Sequence, residues 1–174
     1  VRSVDEPDSV DVNTVFRIAS VSKCFAAFLT GTLVEDSILQ WNDRVVGHLP
    51  KFELESKEET ERLTVKNVLS HTTGLPYHTY TNMVEEGMTL DSMLSWLKKI
   101  HLVTKVGKGY SYQNVAYSLV GKVIESATGR TYETEMIERV FKPLGMKTAS
   151  IDYKTLMRNT NIAQPHKMRR RQWV

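Results

Sequence analysis

Ser20 and Lys23 stand three positions apart in FRIASVSKCFAAFL (residues 16–29), where an apolar helical pattern begins. On a helix, residues i and i+3 share a face and lean toward the N-terminus, so the lysine amine can reach the serine hydroxyl. The first turn of a helix also leaves backbone N–H groups unpaired and carries partial positive charge. A serine there has a donor aimed at any oxyanion formed when its Oγ attacks a carbonyl. Four residues thus offer a nucleophile, an activating cation and half an oxyanion hole. The spacing alone is weak evidence, because Ser95 and Lys98 repeat it in SWLK. Ser95 falls mid-way along an amphipathic helical pattern, where each backbone N–H is already bonded, and is set aside.

A second group strengthens the first. GKGYSYQNVAYSLVG (107–121) places Tyr112, Gln113 and Asn114 at the threshold of another helix. A tyrosine with its pKa near 10 in water is no base at neutral pH, and lowering it by about three units takes roughly 4 kcal/mol. One or two ammonium groups in a partly dry cleft can supply that. Asn114 offers an amide to hold a substrate carbonyl and steady the lysine. YTN (Tyr80 to Asn82) imitates the motif in a turn-like stretch with no helix start beside it, and is read as a decoy.

FRIASVSK followed by YSYQN resembles the serine β-lactamase and penicillin-binding protein family, whose first motif is S-x-x-K. A tyrosine in the second motif, in place of S-D-N, is similar to the class C β-lactamases and their D-Ala-D-Ala carboxypeptidase and esterase relatives. LQWNDRVVGHLPKF, TVKNVLSHTTGLP and VFKPLGMKTAS follow the same branch, and the likeness runs from about Asn13 to His166. The resemblance implies Ser20 as the acylated nucleophile, Lys23 as its activating partner and Tyr112 as general base. Asn114 would bind the substrate's amide carbonyl. Substrates would be β-lactams, peptidyl-D-alanine or small esters, with no cofactor and no metal, in the periplasm or secreted.

The family's third motif, K-T-G or H-T-G on a strand after the second, does not occur after Asn114. HTTG at 71–74 belongs to the turn between the first two motifs. The expected fold is therefore α+β, serine β-lactamase/DD-peptidase-like, present as a mostly α-helical portion lacking most of the central antiparallel sheet. Residues 1–174 read as one incomplete domain, with the nucleophile helix from about 20, a helical lobe over about 37–166 and a basic segment over 167–174. Losing one oxyanion donor typically costs about 10²- to 10³-fold in turnover, roughly 3–4 kcal/mol. The nucleophile helix would also expose apolar surface inviting a partner, such as a complementary chain or segment supplying the sheet.

Caps and breakers outline the elements that must position these groups. Thr64 opens VKNVLSH, Thr89 opens LDSMLSWLKKI, Asn114 starts a helix closed by Gly129, and Thr131 opens YETEMIERVF before Pro143. Gly74 and Pro76 mark a turn in HTTGLP, and TASIDY is the best strand candidate. On the nucleophile helix Cys24, Phe25, Phe28, Leu29 and Leu33 form the apolar spacing, with Cys24, the only cysteine, expected to be a packed thiol.

Formal net charge is +3, but removing Lys167, Arg169, Arg170 and Arg171 would leave −1, so the body offers nothing for nucleic acid. KMRRRQ is read as a solvated tail, the alternative being a basic interaction arm. His48, His71, His78, His101 and His166 show no H-x-x-x-H or H-E-x-x-H spacing for zinc, and His71 is expected to serve its turn. No apolar run approaches the roughly 20 residues of a membrane span. No signal peptide is visible, and the chain opens on Val1 and closes on RRQWV, as in a processed or truncated piece. Besides hydrolysis, a binding or regulatory role on the same fold fits the lack of a third motif.

Overall fold

The computed structural model describes residues 1–4, 7–170 and 172–173. Ten α-helices run in order among these: α1 (Ser22–Glu35), α2 (Val45–His48), α3 (Lys57–Arg62), α4 (Val65–Leu69), α5 (Thr81–Glu85), α6 (Leu90–Trp96), α7 (Asn114–Tyr117), α8 (Leu119–Thr128), α9 (Tyr132–Met136) and α10 (Tyr153–Arg158). Tight 3₁₀ turns cover Ala19–Val21 and Leu97–Lys99, and a wider π-helical turn at Ile137–Phe141 prolongs α9. The described strands are β1 (Met168–Arg169) and β2 (Gln172–Trp173), an antiparallel pair with Met168 opposite Trp173. Among the described residues the large sheet of the expected fold is missing, as the sequence implied.

Side-chain caps open five of these ten α-helices. Thr64 accepts from the Asn67 amide, and Asn67 reciprocates to the Thr64 amide, closing a capping box on α4. Thr89 and Thr131 each accept from the amide three residues on, opening α6 and α9. Gly129, at φ +70°, ends α8 in the left-handed conformation that costs other residues most. TASIDY does not form the expected strand. The Asp152 side chain accepts from the Thr155 amide at 2.8 Å and opens α10 instead, so a local cap outweighs a β-prone composition. A hairpin forms in the basic tail, with Lys167, Arg169 and Arg170 exposed to solvent; Arg171 lies outside the described residues.

The core forms where α1 lies against α8 and α9. Leu29 and Leu33 of α1 are wholly buried with Leu119, Val123 and Ile124 of α8 and Val140. Burying one such side chain contributes about 1.5–3 kcal/mol relative to leaving it in water. The opposite side of α1 has no such cover: Val21 and Phe28 are exposed, and so is Cys24, against the expectation of a packed thiol. The helix is apolar nearly all round, so periodicity could not say which face the lobe takes. It takes Ala26, Leu29, Thr30 and Leu33 and leaves Cys24 and Phe28 outside.

The segment before α1 is anchored by a distant part of the chain. The Val15 amide donates to the Asn161 carbonyl and the Ala163 amide to the Val15 carbonyl, both at 2.9 Å, making a parallel bridge between Val15 and Ile162. Thr14 Oγ1 adds a 2.9 Å bond to Asn161 Oδ1. Strand-like pairing thus leads the backbone to within a few residues of Ser20.

Candidate active site

Ser20 sits in the 3₁₀ turn that feeds α1, and Ala19 immediately before it is left-handed, with φ +45°. That conformation disfavours any side chain with a Cβ, and such strain clusters at functional sites because surrounding structure must hold it. The Val21 amide donates to the Ile18 carbonyl and the Ser22 amide to the Ala19 carbonyl. The Ser20 amide has no backbone acceptor among the described residues. An orphan donor therefore stands beside the serine oxygen, as the sequence required of it.

All four residues singled out in the sequence converge. The Tyr112 hydroxyl donates to Ser20 Oγ at 2.7 Å. Lys23 Nζ donates to Asn114 Oδ1 at 2.8 Å and, more loosely, to Ser20 Oγ at 3.4 Å. The ammonium also lies 4.8 Å from the centre of the Tyr112 ring and 5.5 Å from that of Tyr117, within cation–π range. Ser20 is exposed, while Lys23, Tyr112 and Asn114 are half-buried. A cleft of about 480 Å³ opens on the Lys23 and Asn114 side of this group, walled also by Tyr117, Leu90 and Tyr132; Ser20 and Tyr112 do not line it.

Two tyrosines of this cluster are driven in opposite directions. The Lys23 ammonium, and after it the Ser20 hydroxyl, hold the Tyr112 phenol below its usual value of 10. Burial pushes the Tyr117 phenol up to about 12. The two phenols differ because one faces an ammonium and the other is buried away from water. Tyr117 Oη donates to the Lys23 carbonyl at 2.8 Å, tying α7 to the first turn of α1.

Both decoys are engaged elsewhere. Ser95 Oγ donates to the Ser92 carbonyl at 2.7 Å, and Lys98 Nζ meets Glu53 Oε2 at 3.1 Å. Tyr80 does have a helix start beside it, since it caps α5, contrary to the sequence reading. Its hydroxyl donates to the Trp96 carbonyl, away from Ser20.

Sequence reasoning passed over Tyr117, named Gln113 without a role and saw only part of what His71 does. Tyr117 was detectable: three residues after Asn114 on a helix, it shares that residue's face. Gln113 is wholly buried, and its Nε2 donates to Thr79 Oγ1 at 3.0 Å. His71, also buried, accepts the Gln113 amide on Nδ1 at 3.1 Å. Neither has a periodic or compositional signature, because their partners lie 34 and 42 residues away. Among the described residues no three His, Cys, Asp or Glu side chains gather as a metal site.

A serine in the turn before α1, a lysine one turn on and a tyrosine two residues before α7 meet at one place on the chain. The chain belongs to the beta-lactamase family, whose sequence profile matches residues 1–173. It is similar to Protein flp of Staphylococcus aureus (strain MW2), at 26% identity over 167 residues, which are 95% of this chain and 32% of that protein. Among solved structures it resembles the octameric penicillin-binding protein homologue from Pyrococcus abyssi, with TM-score 0.78 and 26% identity over 92% of this chain and 38% of that one. The beta-lactamase/D-alanine carboxypeptidase of Yersinia pestis shares the fold, with TM-score 0.70 and 23% identity over 88% of this chain and 46% of that one. The chain thus spans about a third of the length of the curated relatives it matches.

Proposed function

We propose that this chain carries the nucleophile-bearing part of a serine hydrolase of the class C type, acting through an acyl-enzyme on β-lactams, peptidyl-D-alanine or small esters. The observation that carries the reading is the convergence of Tyr112 Oη, Lys23 Nζ and the Ser20 hydroxyl within 2.7 and 3.4 Å. With the phenol ionised, the 2.7 Å bond reverses, and Ser20 donates its proton to Tyr112 as Oγ attacks the substrate carbonyl carbon. The carbonyl oxygen takes the negative charge and faces the Ser20 amide. Collapse breaks the bond to the leaving nitrogen or oxygen, which recovers the proton from Tyr112. A water deprotonated at Tyr112 then releases the acyl group and restores the serine. Asn114, its Oδ1 fixed on Lys23, has its amide N–H groups left for the substrate carbonyl.

The second oxyanion donor, expected on a strand bearing the third motif, has no counterpart in the described residues, so in this reading the portion alone is a weak catalyst or none. That gap supports one further reading, a binding or regulatory relative of the same fold without turnover. Outside this portion, a complementary segment or chain would cover the exposed side of α1. Location in the periplasm or outside the cell follows from the family reading; no described helix is long and apolar enough to cross a membrane.

Labelling with a fluorescent penicillin and a fluorophosphonate tests the reading, with Ser20→Ala as control. The expected result is covalent label on the native chain and none on the variant. Label that survives the substitution overturns Ser20 as nucleophile, and no label at any concentration favours the non-catalytic reading.

A further inference from the structure

The turn of residues 70–79 is wrapped around the Tyr112 segment. The Ser111 amide donates to the His71 carbonyl at 2.9 Å, and the Gln113 amide donates to His71 Nδ1 at 3.1 Å. One residue thus takes both amides flanking Tyr112, one with its backbone and one with its side chain. The His78 amide closes the frame by donating to the Tyr112 carbonyl at 3.0 Å. From this frame the phenol reaches Ser20 Oγ at 2.7 Å.

His71 itself is 7% exposed and left-handed, with φ +56°. Its ring lies between those of Tyr112 (centroids 4.5 Å apart) and Tyr117 (5.1 Å), with Tyr110 edge-on at 5.8 Å. The titratable groups facing the imidazole are these three phenols, with the Lys23 ammonium beyond the rings of Tyr112 and Tyr117. Because Nδ1 accepts an N–H, it carries no proton, and the neutral ring keeps its proton on Nε2. A second proton would set N–H against N–H in a buried site and add a cation near Lys23. Burial first, and Lys23 second, hold the imidazole below its usual 6.5, which favours the same neutral form.

We propose that His71 is a positioning residue for the Ser20 reaction, its unprotonated Nδ1 fixing the backbone of Gln113 so that the Tyr112 phenol meets the serine oxygen. The inference rests on the reading of Tyr112 as the base. His71 touches neither the substrate nor the reacting atoms. It works by removing freedom from the segment that carries them. A misplacement of about 1 Å at reacting groups costs on the order of 10²-fold in rate.

The test compares His71→Asn with His71→Gln. Asparagine puts a carbonyl oxygen where Nδ1 stands and keeps an acceptor for the Gln113 amide. Glutamine puts its carbonyl about one bond further out and loses that acceptor, while both variants lose the ring. Two readouts are taken on variants whose melting is compared first: the fluorophosphonate labelling rate of Ser20, and the ionisation of Tyr112. The second comes from tyrosinate absorbance, subtracting the same background carrying Tyr112→Phe.

The expected result is near-native labelling for His71→Asn, and for His71→Gln a loss on the order of 10²-fold with a Tyr112 titration moved toward 10. Equal behaviour of the two variants, whether both native or both impaired, overturns the proposal. If Tyr112→Phe labels at the native rate, the reading of Tyr112 as base has failed on its own. The titration then decides His71: a shift in His71→Gln alone supports positioning of the phenol, and no shift overturns it.

Discussion

Replacing Gly74 by alanine tests whether the turn before the second motif is held by its shape. Gly74 has φ +84°, and a Cβ built there would stand 2.5 Å from the Thr104 carbonyl oxygen, a backbone atom. The same Gly74 accepts the Val103 amide through its own carbonyl at 2.9 Å, so the two strands of chain cannot part without losing that bond. The left-handed conformation costs a residue with a Cβ about 1–2 kcal/mol. Forcing one extra carbon into a packed site costs about 1–3 kcal/mol more. Together these give about 2–5 kcal/mol. Gly129→Ala supplies the control, because φ is +70° there but nothing stands within 4 Å of the added Cβ. It should show the conformational part alone, about 1–2 kcal/mol. Urea unfolding of both variants reads the difference as a shift in midpoint at constant slope. A Gly74→Ala variant no less stable than Gly129→Ala would refute the steric argument. Since this turn also frames Tyr112, the Gly74 variant should lose Ser20 labelling while the Gly129 variant keeps it.

Other expectations concern the site and its supports. Tyr112→Phe removes the 2.7 Å bond to Ser20 Oγ and should slow fluorophosphonate labelling by about 10²- to 10⁴-fold, as loss of a general base does. The native rate should rise with pH until the phenol ionises, below 10, and a flat native profile would count against the phenolate. Unfolded, His71 titrates near 6.5, and folded it titrates lower, so the unfolded chain binds more protons between those values. Its contribution to stability is full above 6.5 and declines as pH falls from there to the folded value. Urea midpoints that track each other in native protein and His71→Asn across that window would show the reasoning wrong. Thr64→Ala should cost about 1 kcal/mol by opening the α4 capping box, measured by the same unfolding.

Helix starts were legible because their determinants are local. Thr64, Thr89 and Thr131 sit next to the amides they satisfy and open helices, and Gly129 closes one. The four site residues were legible as types, and from the order of their motifs. Their meeting depends on α7 being tied to the first turn of α1, Tyr117 to the Lys23 carbonyl across 94 positions and Lys23 to Asn114 across 91, and no local rule encodes that. His71 and Gln113 were hidden for the same reason. The face of α1 was misjudged at Cys24 because a helix apolar on all sides gives no rotational cue. Asp152 misled in the other direction, where a β-prone stretch hid a cap.

Cys24 follows Lys23 and is exposed, and the sequence holds no other thiol. A maleimide dye therefore attaches at one known point on α1, on the side that the lobe leaves uncovered. Its emission reports the polarity of that side directly, and would change if another segment settled there. The residue that the packing failed to hide becomes an optical gauge of what the helix meets.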